Sequence, residues 1–455
     1  MNQHILPHPL FGGTTLENKR MAKWGFIHKS IFPTVVGSEK EYLYLENGQE
    51  ILDAAGGAIV TNIGHGREEV IDTLRDSTRD LDYVIPPFNT PARQALTDKL
   101  VENWLGNSLS HIHYTCGGSE GIECAVKIAY MHHAAKGDLK RTKIIKRHIS
   151  YHGTTLAATA IGGHESRKKG VEHILDPYPK VETPYPLRCP SSDVVGYYVE
   201  NFLEVLEKEG SETIAAFIAE PICGASGGAI TPPDGYFEAI SQICEEHGIL
   251  IIVDEVMTGF GRTGTNFGYE HWDVQPDLLV GGKGLAGGYT SITAVAGNDK
   301  VSRSLEEAGY DVMFHTFSAL PNACATAHKV LEIMEREKLV ERSAKMGALL
   351  QEKLTKAFSN HPHVAEVRGR GLLQGVELVK NRDTLESYEE RKGISGRVSS
   401  RMMHNGVWVY KGGNGIVQDV LLVGPPFTVT EAQIDQIVGT MSEAIDHVTM
   451  ERSTN

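Results

Sequence analysis

Apolar and polar positions along this chain follow two rhythms. Across residues 67–320, short apolar runs bounded by turn residues alternate with longer stretches at helical spacing. The runs at 110–115, 142–147, 213–219 and 249–253 read as strands, and 91–104, 121–135 and 236–247 read as helices. A wholly apolar run such as 249–253 is expected where a strand is buried on both faces, as in a parallel sheet. Strand–helix–strand alternation predicts a mostly parallel sheet with helices on both sides.

The two ends differ from this centre. Residues 41–53 hold two strand-like pieces around Asn47-Gly48, which is a hairpin signal. After Pro321 a long charged amphipathic helix is predicted over 322–359, with a break inside it. A strand pair over 364–378, a helix over 396–405, strand pieces at 407–410 and 420–423, and a final helix from Thr430 follow. The expected organisation is an α/β large domain at 67–320 and a smaller α+β domain at 321–455, with residues 1–66 as the N-terminal segment of the small domain. No repeat, low-complexity linker or charge block separates the parts.

Length and composition narrow the class. A chain of 455 residues suggests about two domains. A net charge of −14 argues against binding along a phosphate backbone, so no nucleic-acid partner is expected. No apolar stretch reaches the roughly 20 residues that span a bilayer. The opening Met-Asn-Gln-His-Ile-Leu-Pro-His-Pro has no basic start before an apolar core, so no signal peptide is expected. Six scattered cysteines without a CxxC pair read as reduced thiols of a cytoplasmic protein. His132-His133 and His361-Pro-His363 lack metal-site spacing, and no metal is expected.

The chemistry concentrates at strand ends. Asp254 closes the run Gly248-Ile-Leu-Ile-Ile-Val-Asp254, at the end where open α/β sheets bind ligands. Lys283 sits in Gly281-Gly-Lys283-Gly-Leu-Ala-Gly-Gly after the next strand. An amine among glycines, with an acid from the neighbouring strand, suits a Schiff base to pyridoxal phosphate: the amine captures the aldehyde and the acid partners the pyridinium. Gly117-Gly118-Ser119 lies between a strand and a helix, as an anion cradle or an ordinary capped turn. Tyr151 follows another strand and could stack on a flat ring or pack in its loop. Glu220 ends a further strand, as a second acid near the site or a loop carboxylate. Thr316 and Ser318 form a hydroxyl-rich turn just before Pro321, which helix capping alone would explain. Gly259-Phe-Gly261-Arg-Thr-Gly264 matches a dinucleotide fingerprint, which would make the chain a nicotinamide dehydrogenase. Five residues separate it from its strand, and no helical rhythm follows, so that reading is set aside. Gly281-Gly-Lys283-Gly is no nucleotide P-loop, because no Ser or Thr follows the lysine.

In this order, these residues resemble the class III (ω-) aminotransferases of the pyridoxal-phosphate-dependent fold type I group. The likeness runs from the glycine-rich segment at 53–66 to Pro425-Pro426. It implies that Lys283 bears the cofactor and then shuttles the proton, and that Asp254 pairs with the ring nitrogen. It implies that Val256 and Tyr151 sandwich the ring, that Gly118 and Ser119 hold the phosphate, and that Glu220 stands behind Asp254. His152 matches a histidine beside the stacking aromatic, without an evident role. Thr316 resembles the hydroxyl that completes the neighbouring subunit's phosphate site, which implies a homodimer and leaves room for a tetramer. The implied reaction is a ping-pong transfer from an amine or ω-amino acid to a keto acid such as pyruvate. Decarboxylating transaminases, aminomutases and racemases share the same core residues, and a non-catalytic cofactor-binding protein is a distant alternative. Amine:pyruvate members carry an arginine before the Pro-Pro pair, and this chain has none there; Lys411 is the candidate replacement, as a point charge. Ile59, where many relatives have tryptophan, together with Phe88 and Ala225, are the expected pocket walls.

Overall fold

The computed structural model describes residues 33–450, apart from 107, 415 and 416. The opening stretch, on which the signal-peptide reading falls, lies outside the described residues. A seven-stranded sheet forms the centre, with strands β1 (His111–Thr115), β2 (Lys143–Arg147), β3 (Lys180–Val181), β4 (Ile214–Ala219), β5 (Leu250–Asp254), β6 (Leu278–Gly281) and β7 (Thr293–Gly297). Their order across the sheet is β1-β7-β6-β5-β4-β2-β3. The β2–β3, β2–β4, β4–β5 and β5–β6 pairs are parallel. Only β7, which the apolar pattern did not single out, runs antiparallel, pairing with both β1 and β6.

Strand β5 shows why the centre is so apolar. Ile251 and Val253 join one core cluster, while Leu250 and Ile252 join another. Side chains alternate across a strand, so the two clusters are the two covered faces of one sheet. The first cluster continues from Phe217 and Phe260 to Leu422 and Ile437, which ties the central sheet to the C-terminal elements.

The helix after β1 runs Gly118–Ala135, three residues earlier than its periodicity predicts, with an extended Gly117 as N-cap. Glycines hide the start because they carry no periodic signal. Gly121 must stay small: a Cβ there would lie 2.7 Å from Thr293 Cγ2 and 2.8 Å from Val280 Cγ1. The predicted helix over 91–104 is an α-helix at Pro91–Lys99 that widens into a π-helical turn at Leu100–Trp104.

Two four-stranded sheets lie outside the centre. Val35–Glu39, Tyr42–Leu45 and Glu50–Asp53 form an antiparallel set that contains the Asn47-Gly48 hairpin. Val407–Trp408 adds to it in parallel beside Glu50–Asp53. Val364–Arg370, Leu373–Leu378, Val420–Val423 and Tyr410–Gly412 form the other sheet. The single strand expected at 407–410 is therefore two short strands in different sheets. The helix expected over 322–359 with a break inside it is Pro321–Arg336 and Leu339–Phe358, and the break falls at Lys338, whose φ of 51° is left-handed.

Candidate active site

Parallel strands deliver their C-terminal ends to one edge. Asp254 ends β5, Glu220 follows β4, Lys283 lies two residues beyond β6, and Tyr151 and His152 lie a short loop beyond β2. These residues, with Gly118, Ser119 and Val256, line one cavity of about 590 Å³. Such a volume suits a small cofactor and substrate.

The acid is held in place on both oxygens. Asp254 is buried; its Oδ2 lies 2.7 Å from His152 Nδ1, and its Oδ1 accepts from the Val256 amide at 3.1 Å. His152 is buried as well, and its Nε2 has no hydrogen-bond partner among the described residues. The next residue, Glu255, goes the other way. Its carboxylate accepts from Thr258 Oγ1 and from the Gly268 and Tyr269 amides, and burial pushes it up to about 7. One carboxylate of the pair thus faces the cavity, and the other fastens the following loop.

Glu220 accepts from the Tyr151 amide at 3.0 Å and from the Gly224 amide at 2.8 Å. Burial raises its carboxyl above the ordinary range, opposed by His152. Lys283 is partly buried at the cavity wall. Loss of water lowers its ammonium to about 8, against the pull of Asp254 and Glu220. Its backbone is strained: φ is 41°, a left-handed value that side-chain-bearing residues rarely adopt.

The glycine loop forms an open cradle. The first intrahelical bond runs from the Gly121 amide to the Gly117 carbonyl, so the Gly118, Ser119 and Glu120 amides precede the helix's own ladder. Ser119 Oγ accepts from the Thr154 amide at 3.0 Å and lies close to Gly153.

The other anticipated residues lie outside this cavity's lining. Thr316 is exposed on the loop before Pro321, and Phe88 is 68% exposed. Ile59 is in the core, where it packs on Gly424, and its neighbour Val60 lines the cavity. Ala225 is buried, with its carbonyl accepting from the Gly413 amide. Lys411 is exposed on the Tyr410–Gly412 strand. Met257, Thr258 and the segment Tyr289–Thr293 also line the cavity and were not anticipated. Their only sequence signal is adjacency to the Asp254 and Lys283 motifs.

The dinucleotide-like loop is a structural clamp. Arg262 is buried and donates to the carbonyls of Thr61, Leu372 and Pro425, while Gly264 lies against Ala344. Asp277, the acid such a fingerprint would need, instead binds the Ile251 amide, Asn298 and Lys300.

Residues 27–445 match the family model described as aminotransferase class-III, and the chain belongs to that family. The aminotransferase YodT of Bacillus subtilis is 34% identical over 91% of this chain and 95% of the relative. The putrescine–pyruvate aminotransferase of Pseudomonas aeruginosa is 32% identical over 90% of each. The crystal structure of an (S)-enantioselective omega-transaminase from Thermomicrobium roseum superposes with a TM-score of 0.88, at 33% identity, over 93% of this chain and 94% of the other. The protein is an enzyme, a transaminase of the fold type I α/β architecture, and this family depends on pyridoxal phosphate.

Proposed function

We propose that this transaminase moves an amino group from a primary amine or ω-amino acid to a keto acid, with pyruvate as the favoured acceptor, using pyridoxal 5′-phosphate held around Lys283. The observation that carries the reading is the meeting of Lys283, Asp254 and the glycine cradle in one cavity. The residues fit the cofactor: an anion cradle, a buried acid held for a protonated ring nitrogen, and an amine of lowered basicity line the same cavity. The orphaned Nε2 of His152 is a further buried polar atom beside that acid. The names of the putrescine–pyruvate and omega-transaminase relatives support the donor and acceptor classes.

When bound, pyridoxal phosphate supplies an aldehyde that takes up each amine in turn and a ring that receives the electron pair left by a departing α-proton. The protein's residues do the rest. Gly118 and Ser119 bind the phosphate through helix-terminal amides and a hydroxyl. Tyr151 and Val256, which line the same cavity, would hold the ring. Asp254, steadied by His152, keeps the ring nitrogen protonated, and Glu220 backs this arrangement through the Tyr151 amide. Lys283 Nζ, neutral above about pH 8, takes the α-proton and gives it back at a neighbouring carbon.

A homodimer completes the reading, with Thr316 reaching the neighbouring subunit's phosphate. A cytoplasmic location is part of the same proposal; no helix among the described residues is long and apolar enough to cross a membrane. The division near residues 66 and 320 is supported by the pairing of Glu50–Asp53 with Val407–Trp408, which joins the N-terminal segment to the C-terminal region.

The test is optical. Purified protein with pyridoxal phosphate should be yellow, bleach when an amine donor is added alone, and regain its colour with pyruvate. Protein that gains no absorbance from the cofactor would overturn the proposal.

A further inference from the structure

A keto acid brings a carboxylate into a cavity that already holds Asp254 and Glu220. Among the described residues lining that cavity, Lys283 is the one lysine and no arginine is present. Lys283 is occupied with the amine chemistry, so the incoming carboxylate needs another cation.

Arg167 meets that need. Its guanidinium carbon lies 4.4 Å from the centroid of the Tyr151 ring, and Tyr151 lines the cavity. Arg167 is exposed at the end of the short turn Glu165–Arg167. Its nearest acid in sequence, Glu165, pairs with Lys168 at 3.0 Å, and no carboxylate among the described residues pairs with Arg167. The guanidinium also reaches the Tyr151 hydroxyl, where it opposes the rise that burial causes, and with five N–H groups it retains donors for an incoming anion. The charge is felt inside: Arg167 is one of the groups that lower the Lys283 ammonium, after burial and alongside Arg262. The turn is anchored where it matters. The Arg167 amide donates to the His164 carbonyl at 3.0 Å, and His164 reaches the Gly413 backbone beside the Tyr410–Gly412 strand.

Lys411 lacks these relations. Burial raises the Tyr151 phenol, and Tyr410 is close enough to add to that rise. Successive side chains of a strand face opposite ways, so Lys411 turns from Tyr151.

We propose that Arg167 receives the substrate carboxylate at the Tyr151 edge of the cavity and is a specificity-determining residue for keto-acid acceptors. This rests on the transaminase reading with a keto-acid acceptor.

The test compares wild-type holoenzyme with R167M and R167K. Butanoate and butanamide, which carry neither amine nor ketone, are titrated against the cofactor absorbance, so binding is read without turnover. R167M should weaken butanoate about tenfold or more, the scale of one charge-assisted contact, and butanamide less than about twofold. R167K should fall between, because lysine keeps the charge and loses the fork. The KM for pyruvate should rise in parallel, with kcat changed less than about threefold. Equal weakening of acid and amide in R167M, or butanoate binding equal to wild type, overturns the assignment. Wild-type protein that bleaches with a monoamine and recovers with pyruvate keeps the transaminase reading intact in either case; wild-type protein that does neither overturns that reading and this assignment with it.

Discussion

Nδ1 of His152 lies 2.7 Å from Oδ2 of Asp254, although the two residues are 102 positions apart in the chain. The bond leaves Asp254 with fixed partners on both oxygens, since Val256 donates to the other. A buried carboxylate held this way stays in one orientation, which a ring-nitrogen partner requires.

Removing His152 should therefore impair Asp254 without emptying the site. His152→Ala is expected to lower kcat about 10- to 100-fold, matching the roughly 1.5–3 kcal/mol of a hydrogen bond to a charged group. Asp254→Asn should cost more, about 100-fold or above, because it removes the anion itself. Steady-state kinetics beside cofactor absorbance would show both. A His152→Ala enzyme with wild-type kcat would mean that the histidine only fills space.

Lys283 gives a pH dependence with a definite sign. Burial lowers its ammonium to about 8, and only the neutral amine attacks an aldehyde. Capture of pyridoxal phosphate by cofactor-free protein should accelerate as pH rises through about 8 and then level off. Stopped-flow absorbance from pH 6.5 to roughly 9.5 would trace it. Lys283→Ala should lose turnover by at least about 10²–10⁴-fold, the range for removal of a general base, and should show no such pH-dependent capture. A capture rate that still climbs at the ordinary lysine value near 10.4 would show that the amine is not depressed.

Much of this site was legible because its residues sit beside strong local signals. Asp254 ends an apolar run, and Lys283 lies among glycines. The parallel sheet then brings Glu220, Asp254 and Lys283 to one edge, as strand–helix alternation implied. The His152–Asp254 bond was not legible, since it spans 102 positions and only the fold makes it local. Arg167 was invisible for another reason: an exposed arginine in a polar turn has no periodicity to mark it. Strand β7 was missed because Thr-Ala-Val-Ala-Gly is small, and its burial comes from neighbours rather than its own hydrophobicity. A break inside the 322–359 helix was expected, but its place at Lys338 was not legible, because it depends on a left-handed backbone at a residue that sequence does not favour there.

Gly153 tests the cradle. Its φ is +142°, and a Cβ there would lie 2.5 Å from Ser119 Oγ and 2.9 Å from Ala158 Cβ. Gly153→Ala must push Ser119 off its bond to the Thr154 amide or shift the loop. The expected result is about tenfold weaker pyridoxal phosphate binding, with a global stability loss of about 1–3 kcal/mol. Equilibrium dialysis and urea denaturation of the cofactor-free protein separate the two effects. Unchanged cofactor affinity with lowered stability would remove Ser119 from the phosphate site.

The surface beside Thr316 gives the last test. Phe88, Phe317 and Met313 are 68%, 65% and 62% exposed, and the Tyr83 and Phe317 rings meet edge-on at 6.3 Å. Exposed large apolar side chains such as the Tyr83–Phe317 pair are costly in water unless another surface covers them. A second copy of this chain is the occupant that also makes sense of Thr316, an exposed hydroxyl that does not line its own chain's cavity. Wild-type protein should sediment as a dimer or larger. Phe317→Asp should shift it toward monomer and weaken cofactor retention at the same time, because each phosphate site would lose the partner's hydroxyl. Thr316→Val should leave the dimer intact and weaken cofactor binding only a few-fold, as expected for one neutral hydrogen bond of about 1 kcal/mol. Sedimentation velocity with absorbance at the cofactor band reads mass and occupancy together. A monomeric wild type that holds its cofactor fully would remove Thr316 from the site and the dimer from the mechanism.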